Sequence, residues 1–400
     1  MNAQASPVEV ASREDAVLEH RQAPEMPVVK SFASFDDLPP TYERLFDDAQ
    51  TASFFHGLPW YRNLSTALAN DEQIRILALE SQDAAHTPLA ILPLRHAREH
   101  RSAWQPRTLS ALSNYYTTVY APLLDPSFNI DDALAPLARA IRTESPSWDV
   151  VNFKPLERDS PIFAAIVQVF RSAGMVVQTY FCHGNWYYPV NGRSYGEYLE
   201  SLKSSVRNIA RSKNKKLERT GRARFELTTG FDGLDKAIQA YEKIYAASWK
   251  VPEPFPLFVP GLIRACARMG WLRLGVAYVD GEPAATQLWI INNGVASIYK
   301  IAYDQKFKDL SVGSFLTMRL MEHAIDVDRV REIDYLSGDD RYKSDWMSHR
   351  REHWGILAMN PRTIRGALAI VRHVGGRAAK RALQRLSGII PKSSPKPASK

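Results

Sequence analysis

The stretch VASIYKIAYDQKFKDLSVGSFLTMRLMEHAID, residues 295–326, decides how this chain should fold. Its first nine residues, Val295–Tyr303, follow an Asn292-Asn293-Gly294 turn and are rich in β-branched and aromatic side chains, which predicts a strand. From Ser311 to Asp326 the sequence predicts a helix that opens on the small residues Ser311, Gly313 and Ser314. Such a start leaves backbone N–H groups open with little side chain in the way, at the positive end of the helix dipole. That geometry suits a pyrophosphate, and Lys306 and Lys308 just upstream add charge. An ordinary N-cap is the other reading of the same residues.

Working outward, Trp271–Val279 and Glu282–Ile291 read as strands joined by the hairpin turn Asp280–Gly281. Arg331–Leu336 and His353–Met359 read as two more, the first separated from Val295–Tyr303 by the helix. Antiparallel strands with a helix between the last of them give an α+β fold with a mixed sheet. Further back, Leu234–Trp249 and Val259–Met269 are predicted helices with a link carrying Pro252, Pro254 and Pro256 between them, preceded by the strand Ala223–Thr229. Tyr195–Arg219 reads as one long helix, apolar at Leu199, Leu202, Val206 and Ile209 and ended by Gly221.

The first half repeats parts of this plan. Thr41–Gln50, Pro59–Ala69, Asp131–Arg142 and Pro161–Ser172 are predicted helices, and Trp148–Phe153 and Met175–Phe181 strands, followed by a short extended piece at Trp186–Val190. Ile74–Glu80 and Leu89–Arg95 form a second strand–turn–strand unit followed by tyrosines (Tyr115, Tyr116, Tyr120), as Trp271–Ile291 is followed by Tyr299 and Tyr303. A tandem repeat of one fold is therefore expected. Residues 1–30 are expected to be a disordered lead-in, 31–190 a first half with no counterpart of Ser311–Ser314, 191–360 a second half that carries it, and 361–400 a basic tail.

A chain of 400 residues with 45% hydrophobic residues has material for two packed halves. No apolar run approaches the roughly 18 residues of a membrane span, and the polar first thirty residues are unlike a signal peptide. Cys182 and Cys266 are too far apart for a metal motif, and no metal is expected. The net charge of +8 is local: residues 361–400 hold ten Lys or Arg and no Asp or Glu, which leaves −2 for residues 1–360. This argues against a nucleic-acid-binding body.

The run Tyr299-Lys300-x-x-Tyr303-Asp304-x-x-Phe307-x-x-x-Ser311-x-Gly313-x-x-Leu316 resembles the signature of the cellulose-biosynthesis (CelD)-type branch of the GNAT acyltransferases. So do Asp334-x-x-x-Gly338-Asp339-x-x-Tyr342-Lys343-x-x-Trp346 and the basic stretch with Ser204, Arg207, Asn208, Arg211 and Leu217. The branch is similar to the Fem-type aminoacyltransferases, which carry two GNAT-like halves. Val312 departs from the pattern, standing where proline is usual.

The resemblance implies a tandem GNAT-like (acyl-CoA N-acyltransferase) fold with mixed β-sheets and flanking helices. It also implies acyl-CoA as co-substrate, held at Lys306, Lys308, Ser311, Val312, Gly313 and Ser314, its thioester lying between strands Val295–Tyr303 and Arg331–Leu336. An acceptor amine would attack the thioester directly. Asp304 and Asp339 are the candidates for base or acceptor orientation, Tyr303 or Tyr342 for returning a proton to the thiolate, and Lys343 for anchoring acceptor charge. The plain alternative for each carboxylate is a loop cap or a surface ion pair.

Trp186, Lys203, Arg207 and Arg211 are the candidate acceptor-binding set, with a solvated helix face as the alternative. In the tail, Ile364, Leu368 and Val371 line one side of a helix and Arg362, Arg365 and Arg372 another, a pattern suited to an anionic membrane surface. The expectation is a cytoplasmic enzyme, peripheral at the inner face of the cytoplasmic membrane, acylating an envelope glycan precursor or lipid. A ceramide-type lipid N-acyltransferase, a Fem-like enzyme using aminoacyl-tRNA, and a non-catalytic binding protein are the alternatives.

Overall fold

In the computed structural model, which describes residues 26–68, 72–83, 86–98, 102, 104–208, 219 and 221–375, the two hairpins occupy equivalent places. They are β2 (Glu72–Glu80) with β3 (Pro88–Ala97), and β9 (Leu272–Val279) with β10 (Glu282–Asn292). Asp280 and Gly281 have φ of 51° and 83°, and Asn293 and Gly294 of 41° and 72°. Two successive left-handed residues match the twist of the strands they join, so β9, β10 and β11 (Val295–Tyr303) form a meander.

Around each hairpin the same order recurs: strand, two helices, three strands, helix, strand, helix, strand. The first run is β1 (Val28–Phe32), α1 (Glu43–Gln50), α2 (Leu58–Leu68), β2, β3, β4 (Thr108–Ala111), α3 (Ile130–Thr143), β6 (Val150–Glu157), α4 (Pro161–Ser172) and β7 (Val176–Pro189). A two-residue strand, β5 (Leu123–Leu124), pairs with β3 off this path. After the short helices α5 (Tyr195–Ser201) and α6 (Ser204–Asn208), the second run is β8 (Ala223–Thr228), α7 (Leu234–Ala246), α8 (Phe258–Arg268), β9, β10, β11, α9 (Val312–Glu322), β12 (Glu332–Ser337), α10 (Lys343–Trp346) and β13 (His349–Met359).

All the strands join one sheet in the order β1-β2-β3-β4-β6-β13-β7-β12-β11-β10-β9-β8. The last strands of the two runs are exchanged: β13 pairs with β6 of the first run, and β7 with β12 of the second. β7 and β13 pair with each other from His349↔Tyr187 to Met359↔Val176. The exchange leaves no open edge at the junction and fuses the halves into one sheet.

Helix packing follows the apolar spacing. Trp60, Tyr61, Leu64 and Leu68 of α2 are buried beside Phe258, Leu262 and Ile263 of α8. Burying each such side chain contributes about 1.5–3 kcal/mol. Among the described residues no helix is long and apolar enough to cross a membrane.

The structure departs from the sequence-based expectation in four places. Strand β1 starts at Val28, inside the stretch expected as a lead-in, because alternate pairing with β2 recruits it. The helix expected over Tyr195–Arg219 is interrupted after Ser201, where Leu202 is extended (ψ 159°) and turns its side chain into the core. Met175–Phe181 and Trp186–Val190 merge into the single strand β7, which pairs with β13 from Val176 to Tyr187 across an irregularity at Cys182. The final strand begins at His349, four residues before the apolar stretch that signals it.

Candidate functional site

β11 and β12 are parallel neighbours, but they pair only from Val295↔Glu332 to Ser297↔Asp334. Past that point they part, for two local reasons. On β11 Tyr299 is a bulge residue: Lys300 faces Leu288 and Ile298 faces Trp289, so Tyr299 has no partner on β10. A bulge bends the strand and re-aims its side chains. On β12 Leu336 adopts φ 55°, a conformation costing a β-carbon residue of order 1–3 kcal/mol. It is held there by Asp334 Oδ1, which accepts from Leu336 N at 2.6 Å, and by Asn185 Nδ2, which donates to Leu336 O at 2.8 Å. Arg351 of β13 donates to both Asp334 Oδ2 (2.5 Å) and Asn185 Oδ1 (2.6 Å), so the exchanged strands brace the parting.

A cleft of about 270 Å³ opens where the strands diverge. β11 lends it Ile298, Tyr299, Lys300 and Ile301, β12 lends Tyr335, Leu336 and Ser337, and the following turn and α10 lend Asp340, Tyr342 and Lys343. Tyr115, Tyr116 and Thr118 come from the first half, and Lys250 from the end of the α7 region. Lys250 also lines a second hollow of about 340 Å³, walled by Tyr241, Tyr245, Pro252, Pro256, Val259 and Pro260.

The charges around the cleft are mostly paired. Glu253 accepts from Lys300 Nζ at 2.6 Å, from Tyr116 Oη at 2.7 Å and from Tyr115 Oη. Burial pushes the Glu253 pKa up, but the bonds from Lys300, Tyr115, Tyr245 and Tyr116 together outweigh it and bring the carboxyl to about 2. Lys343 is buried and donates to Ser337 O (2.5 Å) and Tyr335 O (3.3 Å), with Asp340 at 3.7 Å; burial lowers its pKa. Tyr342 lies edge-on to Tyr335 (5.8 Å, 90°), and burial raises its hydroxyl to about 12.

Of the catalytic residues expected from sequence, Tyr342 and Lys343 line the cleft, while Asp304, Asp339 and Tyr303 do not. Asp304 caps the 3-10 turn Gln305–Leu310, accepting from Lys306 N at 3.0 Å. Asp339 forms a two-pronged pair with Arg350 (2.8 Å on each oxygen), and Arg350 holds its carboxyl below the usual range. The chain turn at Gly338 (φ 114°) sends Asp340 rather than Asp339 toward the cleft. Tyr303 packs on Trp249 at 4.6 Å and faces Gly313.

The start of α9 has no side-chain cap: Ser311 is left-handed (φ 54°) and makes no capping bond. The first N–H groups of a helix lack internal partners, and here Val312 is buried while Ser311, Gly313 and Ser314 are half-buried. Gln287 pins this first turn by donating to Gly313 O (3.2 Å) and Thr317 Oγ1 (2.7 Å). Lys308 is exposed, and Lys306 is paired with Glu282 of β10.

The expected acceptor set is dispersed. Trp186 is half-buried on β7 and bonds to Asp339. Lys203 pairs with Asp345 (2.6 Å) and Arg207 with Glu200 (3.1 Å). Arg211 lies outside the described residues, as do residues 376–400 of the tail. Among the described residues no group of His, Cys, Asp or Glu could hold a metal.

Sequence reasoning missed Lys250, Glu253 and Asp340. Glu253 stands between Pro252 and Pro254 in a segment read as a link; a lone carboxylate fixed by prolines inside a half was its one signal. Tyr115 and Tyr116 were visible only as markers of the repeat.

Three comparisons bear on these observations. The family model described as an acetyltransferase (GNAT) domain matches residues 204–344, the span from α6 to α10 that holds most of the cleft. Among solved structures, FemX aligns with a TM-score of 0.54 at 11% identity, over 82% of this chain and 96% of that one. A conserved protein of unknown function from Bacteroides thetaiotaomicron aligns at 0.51 and 10%, over 82% and 100%. A tandem GNAT protein from the clavulanic acid biosynthesis pathway aligns at 0.44 and 9%, over 84% and 100%. No curated protein matches the chain. Residues 204–344 thus match a GNAT acetyltransferase domain, and the mixed sheet and flanking helices of the chain form a GNAT-like fold.

Proposed function

We propose that this protein transfers an acyl group from acyl-CoA to an amine on a cell-envelope molecule, within the CelD-type branch of the GNAT acyltransferases. The observation that carries the reading is the parting of β11 and β12 after Ser297 and Asp334, beside the uncapped start of α9. A thioester laid in that gap would have its pyrophosphate end near Val312–Ser314 and its carbonyl in the cleft. Holding donor and acceptor amine there converts an encounter in solution into a step within one complex, which is worth several kcal/mol of the barrier. Tyr342 and Lys343, from the expected set, border the reacting region, and Asp340 takes the place in the cleft first expected of Asp339. The hollow next to Lys250 offers apolar wall for an acyl chain longer than acetyl.

The envelope acceptor rests on the tail. Ile364, Leu368, Val371 and Val374 are exposed on the helix Ile364–Ile370 and the turn that follows, beside Arg365 and Arg372. Basic residues near an anionic bilayer contribute about 1 kcal/mol each, which favours reversible peripheral binding and lipid-linked acceptors.

The test is thiol release from a panel of acyl-CoAs, acetyl to palmitoyl, in the presence of envelope extract, with products identified by mass spectrometry. Acylated amine with one chain-length class is the expected result. No thiol release above the protein-free control with any donor sinks the reading.

A further inference from the structure

We propose that Lys250 is the proton-transfer group of the cleft, taking the proton of the attacking amine and delivering it to the departing sulfur. The proposal rests on the acyl-transfer reading above and adds the residue that performs its proton step.

Lys250 stands where the cleft meets the second hollow and is half-buried. Among the described residues its Nζ has no carboxylate within 4.0 Å and no hydrogen-bond partner. Its nearest rings are Tyr245 and Trp249, each with the centroid 5.8 Å away. The other charged groups of the cleft are engaged. Lys300 is on Glu253, Lys343 on two carbonyl oxygens, Asp340 faces Lys343, and Glu253 receives a lysine and tyrosine hydroxyls. A carboxylate held ionised by that many donors has little affinity for a further proton. Among the amines and carboxylates lining the cleft in the described residues, Lys250 is then the one with neither an ion pair nor a hydrogen bond.

The groups facing it set its protonation. Lys300 approaches from β11, Lys343 from α10, Glu253 from the proline link and Asp340 from the turn after β12, with Tyr115 and Tyr116 from the first half. Burial, followed by the field of Lys300, brings the Lys250 pKa to about 8, against the opposing pull of Glu253 and Asp340. Near pH 8 about half of the molecules then carry a neutral amine at this position.

In the step, the neutral acceptor amine attacks the thioester carbonyl carbon as Lys250 Nζ accepts one of its protons. The C–N bond forms, the C–S bond breaks, and the electron pair leaves on sulfur. The Lys250 ammonium then protonates that sulfur, so the products are amide and free thiol and Lys250 is neutral again. An ordinary thiol has a pKa of about 8.5, close enough to that of Lys250 for the return transfer to be nearly even.

Two measurements on the full chain test this. Brief pulses of isotope-labelled acetic anhydride across pH 6–11, read by peptide mass spectrometry, report when each lysine becomes neutral. Lys250 should reach half its maximal labelling near pH 8, well below the usual lysine value of about 10.4. Half-maximal labelling of Lys250 at the usual lysine value overturns the proposal whether or not the enzyme turns over. In thiol release from acetyl-CoA with glucosamine as probe amine, Lys250→Gln and Lys250→Arg should each lower kcat by about 10²–10⁴-fold. Both should keep calorimetric acetyl-CoA affinity within about twofold, and methylamine should restore part of the Gln variant's rate. Full activity in Lys250→Arg, which keeps the charge but cannot give up its proton, overturns the assignment of Lys250 alone. No thiol release by the wild type with any donor and amine overturns the acyl-transfer reading itself, and the proton step with it.

Discussion

Replacing Glu253 by Gln keeps the shape of the side chain and removes its charge. The carboxyl falls from 4.5 to about 2 in the folded chain. At about 1.4 kcal/mol per pH unit, this corresponds to about 3 kcal/mol of folding free energy at neutral pH. The two partners of the ion pair respond differently: burial wins at Lys300, whose pKa is lowered, whereas Glu253 is favoured in its charged form because tyrosine hydroxyls donate to it as well. A depressed carboxyl stabilises the fold above its unfolded pKa and loses that effect as pH falls through its folded value. Wild-type stability should therefore decline from about pH 4.5 to about 2, and Glu253→Gln should flatten that decline. At pH 7 the variant should be less stable by about 3–5 kcal/mol, because it also leaves the Lys300 ammonium buried without its counter-charge. Urea unfolding at pH 7, 4.5 and 3, followed by tryptophan fluorescence, reads both effects. A variant within about 0.5 kcal/mol of wild type at pH 7, with an unchanged acid slope, would falsify the claim that this carboxylate is the electrostatic centre of the cleft wall.

Gly313→Glu should abolish calorimetric binding of acetyl-CoA, whereas Gly313→Ala, whose Cβ would meet Tyr303 at an ordinary 3.4 Å, should bind within about threefold of wild type; equal binding by both variants removes the donor site from α9. Asp340→Asn should lower kcat about tenfold or more while Asp339→Asn costs at most about 1 kcal/mol of stability, as a part-exposed ion pair does, and keeps kcat; the reverse pattern would restore Asp339 to the catalytic role. Wild type should float with anionic liposomes in low salt, and Ile364→Ser/Leu368→Ser/Val371→Ser together should weaken that binding at least tenfold. Equal flotation would show that the exposed apolar stripe is not the membrane contact.

Local patterning carried much of the fold. The turn residues Asp280–Gly281 and Asn293–Gly294 can be read in sequence because left-handed φ selects Gly, Asn and Asp, and the hairpins they define follow directly. The spacing of Trp60, Leu64 and Leu68 places α2 on the core for the same kind of reason, a period of 3.6 residues. Ser311–Ser314 is likewise legible as a small-residue helix start from residue type alone.

What the tertiary structure decided is which side chains meet. Tyr115 and Lys250 are separated by more than a hundred residues, and they share a cleft only because β7 and β13 exchange places and draw the first half against the second. Whether Asp339 or Asp340 faces that cleft depends on the backbone turn at Gly338, and no period in the sequence encodes it. The break at Leu202 was hidden for a similar reason: helical spacing continues through it, and burial of Leu202 against the second-half core outweighs local propensity. Periodicity is a property of neighbours along the chain, so the sequence alone determined the elements and their faces. The charge pairing of Glu253 and the unpaired amine of Lys250 depend on residues brought together from distant elements, and only the folded sheet fixes those distances.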